Sequence, residues 1–397
     1  MKKVLVVLFF FLITVNFAWG DLQDNYKKGR IVLKGVPDFG KNNDWEDLFH
    51  DPYKEIIAAP DGCIFVVNSR QHNMYKFDKN GDLLKTFGRK GQGPGDVTFP
   101  GDPSFLDNKY LVVGEYGLNK RFTVWNMDGK CVKVVRTKKF TSYTTAIKDK
   151  RIAYLTFSQH AEKKNGYQKK ILVIIKDIDT GSEKNLREIT LLDRSRIELG
   201  PGMSTGVGNF FGEVFLAQTI NGNLALGISN LPKIDIYSPD GSPVFSFDLK
   251  IRPIPVDEKY VKKFRDKVLA DLKKEGETAM DDTHKFWHNQ SMKYLPKFDF
   301  STIFDKHLPL YKEILVDSAG NFLVFLYNDC QENCNPFFQV YSPKGEFICE
   351  TELDCGEYDV EIDRRWKRLC FTKDGIFGYF MKKGDEDEIY RLVKSEY

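Results

Sequence analysis

The chain has 397 residues, with 59 Lys and Arg against 56 Asp and Glu and a formal charge of +3. That balance excludes the basic footprint of a nucleic-acid binder, and runs such as Lys138-Lys139 and Lys163-Lys164 read as solvated loops. Thirty-two Phe and eighteen Tyr favour strands over helices, and a single all-β unit can reach this length.

Residues 1–20 read as a secretory leader. Lys2 and Lys3 precede the apolar stretch Val4 to Val15, and Ala18-Trp19-Gly20 offers small residues for cleavage before Asp21. Removing the leader leaves 57 basic side chains against 56 acidic ones. No cysteine follows the apolar stretch, so a lipid anchor is not expected. No later segment is long and apolar enough to span a membrane. The expectation is an exported protein, secreted or periplasmic.

Beyond the leader, Arg30 to Lys34 is an isolated strand pattern. Lys54 to Gly88 then reads as a complete unit. Lys54 to Ala59 is a short strand, Asp61-Gly62 a tight turn, and Cys63 to Val67 a continuous apolar strand. Met74 to Phe77 alternates, Asn80-Gly81 signals a hairpin, and Leu83 to Phe87 closes the meander. The pattern returns at 108–135, 144–192, 215–249, 311–353 and 364–393, with matching turns at Asp128-Gly129, Asn221-Gly222, Asp240-Gly241, Lys344-Gly345 and Asp374-Gly375. Six four-stranded antiparallel units imply an all-β six-bladed β-propeller over 21–397. The sixth unit supplies three strands only, so Ile31–Leu33 is expected to pair alongside Glu388–Val393 and close the ring.

The run Phe87-Gly88-Arg89-Lys90-Gly91-Gln92-Gly93-Pro94-Gly95, with Pro100 after it, resembles the inter-blade signature of NHL-repeat proteins and related bacterial six-bladed propellers. Val66 to Phe77 resembles the strand-loop-strand core of the same repeat. Val97 stands where that family usually has an aromatic residue, and Asn68 where it often has Asp. The resemblance implies the propeller fold; members include scaffolds, ligand binders and a few lyases and hydrolases, so it does not choose a function. Glycine tolerates positive φ and Pro94 fixes its own φ, which suits a tight crossing between sheets. A phosphate cradle would need a helix after the loop, and none is expected there.

Tight turns gather on one face of such a ring. The long segments 88–103, 158–168, 193–212, 250–310 and 328–336 gather on the other, where binding is expected. The largest is a helical insertion, about 257–305, between the fourth and fifth units. Asp257 caps its first helix, Val261, Phe264, Val268 and Leu272 form its apolar stripe, and Gly276 ends it.

Candidate chemistry is sparse. Arg70 and His72 lie in a loop on the long-loop face and suit an anionic ligand. Glu115 and Asp329 occupy corresponding loops and are candidates to line the funnel, where carboxylates could hold Ca²⁺. His284 and His288 are four apart, a spacing that suits Zn²⁺ on one helical face, with Asp281, Asp282 and His307 as further ligands. An aromatic stripe with Phe286 and Trp287 is the competing reading. Seven cysteines are present. Cys330 and Cys334 flank a short loop and could bridge, whereas Cys63 and Cys131 read as buried apolar residues. Ser204, in Gly202-Met203-Ser204-Thr205-Gly206, lacks the strand–turn–helix setting of a nucleophile elbow and reads as loop. The expected function is non-catalytic binding of a small molecule, glycan, peptide or partner protein through the long-loop face. The alternative is a metal-dependent hydrolase or lyase with its ion in the funnel.

Overall fold

The computed structural model describes residues 22–45, 54–116, 120–163, 166–193, 196–200, 203–206, 212–275, 282–327, 335–360, 369–383 and 390–397. Continuous apolar strands need cover on both faces. Ile64–Asn68, Leu224–Ile228 and Phe322–Leu326 are such strands, each second in its sheet and largely or wholly buried. The cover comes from neighbouring sheets. Antiparallel sheets form from 54–87, 100–136, 142–193, 214–248, 311–354 and 358–395. Their inner strands touch in succession: Lys54–Ala58, Pro100–Leu106, Ser142–Ile147, Val214–Gln218, Tyr311–Val316. Leu369–Thr372 then returns to Lys54–Ala58. Six apolar clusters fill the six gaps between sheets, so the ring closes as a six-bladed β-propeller.

Closure differs from the expected pairing. The strand Arg30–Val32 lies parallel to Phe347–Asp354, the outer strand of the fifth sheet, with Ile31 opposite Leu353. It does not pair with 390–393, the described part of the expected partner. Its alternation explains the choice: Ile31 and Leu33 are buried in the cluster between the fifth and sixth sheets, while Arg30 reaches out to Asp354 at 2.6 Å. The chain then crosses to the sixth sheet, where Gly35 bridges Ser395 and Val36 N donates to Lys394 O at 2.8 Å. It goes on to the first sheet, where Gly40 N donates to Asn80 O at 2.8 Å. One N-terminal strap thus spans three sheets across the seam. At its start, the Tyr26 hydroxyl donates to Asp317 at 3.0 Å, and the ring packs edge-on to Tyr397.

Three elements exceed the sequence reading. The second sheet begins with Pro100–Leu106, a wholly buried inner strand within a segment that reads as loop. Its small residues and two prolines suit the narrow axis, where an inner edge needs no ladder donors. In the third sheet, Arg151–Lys163 and Gly166–Asp177 stay paired through 158–168. They extend the sheet about 20 Å beyond its neighbours at roughly 3.4 Å per residue. Between the third and fourth sheets, Arg196–Gly200 pairs with Met203–Gly206, so Ser204 lies on a strand and not in an irregular loop.

The insertion between the fourth and fifth sheets contains the helices Glu258–Glu275 and Asp282–Tyr294. Asp257 Oδ1 accepts from Tyr260 N at 2.7 Å, the expected cap. Phe264, Leu272, Leu295, Phe300 and Phe304 give the insertion its own core. Pro255 and His307 pair across its base.

Candidate functional site

The long-loop face is where inner strands begin and second strands end. At that level three inner strands carry β-bulges: between Gly101 and Ser104, Ser142 and Thr144, and Tyr311 and Glu313. Bulges re-aim side chains. Two of them hold non-glycine residues in the left-handed region, Asp102 at φ 48° and Tyr143 at φ 50°, a strain of order 1–3 kcal/mol each. Asp102, Tyr143, Thr144, Phe215 and Glu313 converge on the axis and enclose about 10 Å³ of water-accessible space. That is room for about one water molecule. The bulges therefore plug this space with polar side chains set beside Val214, Phe215 and Leu216.

Hydrogen bonds stitch the plug from sheet to sheet. Asp102 N donates to Glu55 Oε2 at 2.8 Å, and Thr144 N donates to Asp102 Oδ2 at 2.8 Å. Ala146 N donates to Ser104 Oγ at 2.8 Å. Tyr116 reaches Glu55 Oε1 at 3.4 Å. Burial, then the charges of Asp102 and Glu55, push the Tyr116 hydroxyl well above its ordinary value, so it remains a donor. Glu55, Asp102 and Glu313 are buried, yet among the described residues no three His, Cys, Asp or Glu side chains are grouped to hold a metal ion. The sequence reading missed Glu55, Asp102, Tyr116, Tyr143 and Glu313. The available signal was an acidic or tyrosyl residue near the start of four of the inner strands; Tyr116 instead follows the second strand of its sheet.

The residues singled out by sequence do not form one site. Glu115 is buried beside the glycine-rich run. It accepts from Arg121 Nη2 at 3.1 Å, Thr98 N at 3.0 Å and Thr123 Oγ1 at 3.3 Å. Arg121 in turn donates to the carbonyls of Gln92, Gly91 and Asp96 at 2.7, 3.0 and 3.0 Å. The glycine-rich run is thus a latch gripped by a buried ion pair, with its exposed end fastened by Arg89 and Asp96 at 2.8 Å. Arg70 is exposed on its loop. His72, at φ 59°, meets the Phe99 ring edge-on at 5.8 Å, and its Nδ1 is buried without a hydrogen-bond partner. His288 is half-buried. The side chain of His284 lies outside the described residues, as do Asp329, Cys330 and Cys334. Cys63 and Cys131 are half-buried free thiols and not fully buried residues, Cys349 and Cys355 are also free thiols, and Cys370 Sγ donates to Ile56 O at 3.2 Å.

Surrounding the plug are apolar side chains on fastened backbone. Phe99 is 53% exposed, yet its carbonyl accepts from Tyr116 N at 3.0 Å. Phe140 is 42% exposed, between Lys139, whose carbonyl accepts from Thr137 Oγ1, and Thr141, whose Oγ1 donates to Glu115 O. Leu231 and Phe337 are exposed at equivalent loops of the fourth and fifth sheets. With Phe286 and Met292 of the insertion, six of the eleven exposed large apolar residues found among the described residues lie on this face. The tight-turn face carries Ile220.

Residues 52–191 match the DUF5128 family model, described as a 6-bladed beta-propeller. The chain is a six-bladed β-propeller. Its solved structural relatives are remote. A Bacteroides fragilis protein described as exported shares 13% identity, with coverage of 91% of this chain and 94% of the other and a TM-score of 0.47. A DUF4221 member from Bacteroides vulgatus shares 12%, covering 87% and 94%, with a TM-score of 0.47. Regucalcin from Agrobacterium tumefaciens, a calcium-binding protein, shares 7%, covering 92% and 97%, with a TM-score of 0.42. No curated protein matches the sequence.

Proposed function

We propose that this propeller is an exported, non-catalytic binding module that engages a protein or peptide through its long-loop face. The leader pattern supports export, and no described helix is long and apolar enough to cross a membrane. The carrying observation is the rim: Phe99, Phe140, Leu231 and Phe337 are exposed on loops of the long-loop face, above inner strands that leave about 10 Å³ of water-accessible space beside Asp102 and Glu313. Rigidly presented aromatic side chains lose little freedom on binding and make effective interface anchors. The extended third sheet and the helical insertion, whose helix Asp282–Tyr294 packs against Arg196–Gly200, wall one side of the face.

Site-specific photo-crosslinking tests the reading in the cells that make the protein. A photoreactive residue at Phe99, Phe140 or Phe337 is expected to capture one discrete partner band, and the same residue at Ile220 none. Equal capture at Ile220, or no capture at the three rim positions, contradicts the proposal.

A further inference from the structure

Beyond Gly40 the N-terminal strap folds onto the first sheet and fixes two asparagines there. Asn43 Nδ2 donates to Gly81 O at 2.6 Å, and Asn43 Oδ1 accepts from Leu83 N at 2.9 Å. Asn42 Nδ2 donates to Asp82 Oδ1 at 3.0 Å. The Trp45 indole stacks on Phe77 with ring centres 6.0 Å apart and planes 25° apart. Gly40, at φ 66°, makes room for it: a Cβ at that position would lie 2.5 Å from Trp45 Cζ2. Asn42, Asn43, Asp44 and Trp45 meet Arg391 of the sixth sheet around an open cleft with about 450 Å³ of water-accessible space. Small-molecule sites occupy about 300–1,000 Å³. Arg391 is exposed on the strand Tyr390–Ser395 and makes no ion pair or hydrogen bond among the described residues.

We propose that this cleft binds an acidic saccharide through a uronic acid residue. Four polar side chains beside one aromatic ring suit a ligand with hydroxyls around its edge and C–H groups on its face, which describes a sugar ring. The indole offers the apolar surface, and asparagine both donates and accepts. The Arg391 guanidinium matches a carboxylate in bidentate fashion. Other ligand classes fit less well. An apolar molecule would strip water from the polar side chains and replace none of its hydrogen bonds. A phosphate would gain nothing from the indole and would meet the Asp44 carboxylate. A bare carboxylate would use Arg391 and leave the rest of the cleft idle. The cleft shares no residue with the rim around Phe99, so the two readings stand or fall separately.

Isothermal titration calorimetry on the full chain tests the proposal. The probes are short oligosaccharides of galacturonate, of mannuronate and of glucuronate-containing hyaluronan, the methyl ester of each, and sodium acetate. At least one acid is expected to bind saturably, its methyl ester on the order of ten-fold more weakly, and acetate not at all. Arg391→Gln should bring the acid down to the level of the ester and leave the ester unchanged, with no shift in thermal midpoint. Trp45→Ala should weaken acid and ester alike; since Trp45 also packs on Phe77, circular dichroism checks that this variant is folded, and Arg391→Gln carries the test if it is not. Phe99→Ser should bind as the parent protein does. The proposal is overturned by no binding of any acid, by an ester or acetate that binds as tightly as the acid, by an acid preference that survives Arg391→Gln, by undiminished binding in folded Trp45→Ala, or by equal loss in Phe99→Ser.

Discussion

Arg121 shows what one side chain does in this ring. It is 2% exposed, and its guanidinium joins a buried carboxylate to three carbonyls of the glycine-rich run. Replacing it with Ala leaves Glu115 charged and buried, a change that typically costs about 3–5 kcal/mol. The expected outcome is a large fall in the denaturation midpoint for Arg121→Ala, against little movement for Arg89→Ala at the solvent-exposed end of the same run. Similar midpoints in the two variants would contradict the latch. At this scale the sequence was legible where chemistry is local. Asn68 does what an Asp would do: its Oδ1 accepts from Arg70 N and Gln71 N at 3.1 and 3.0 Å. Val97, in place of an aromatic residue, is wholly buried between the first two sheets. Asp102 and Tyr143 were not legible as site residues. Their bulges arise where separate sheets meet at the axis, and no short-range pattern encodes that.

Among elements, strands bounded by Asp-Gly and Asn-Gly turns could be read directly, because those turns fix both position and register. Pro100–Leu106 could not, since a small-residue inner strand carries neither alternation nor β-branched enrichment. The partner of Arg30–Val32 was also out of reach: counting strands favoured the sixth sheet, whereas the acidic edge of Glu352 and Asp354 draws Arg30 to the fifth. The strap should matter to stability despite its short pairing. Ile31→Ala removes a side chain buried between two sheets and is expected to cost about 2–4 kcal/mol. Hydrogen exchange should then quicken in Tyr390–Ser395 before the first four sheets respond. Uniform loss of protection throughout the ring would show that the strap does not specifically hold the seam.

For the molecule as a whole, six apolar gaps bury many phenols. Burial, then the charge of Asp317, raises Tyr26 well above its ordinary value, and Tyr116 is raised likewise. Burial lifts Tyr341 and Tyr358 from 10.0 to about 12. A phenol with a raised folded value stabilises fully below its unfolded value, and that contribution is lost as pH rises through the folded value. Stability should therefore hold below pH 10 and fall between about pH 10 and 12. Tyrosinate absorbance and circular dichroism followed together are expected to change in one coincident step. Tyrosines that titrate near pH 10 with the circular dichroism unchanged would contradict these buried environments. The six-fold repeat and the split between a plain and an elaborated face were readable at this scale, because turn lengths are written in the sequence. Which face residues meet was not, since that depends on closing the ring.

Closure also orders events in time. Tyr26 is made well before its partners Asp317 and Tyr397, the nearer of which lies 291 residues further along the chain. Contacts so distant along the chain form slowly. During synthesis the strap has nothing to grip, and the earlier sheets must persist as an open arc with a bare flank. Assembly therefore finishes in a single late docking event, and the half-built arc is the species most exposed to aggregation.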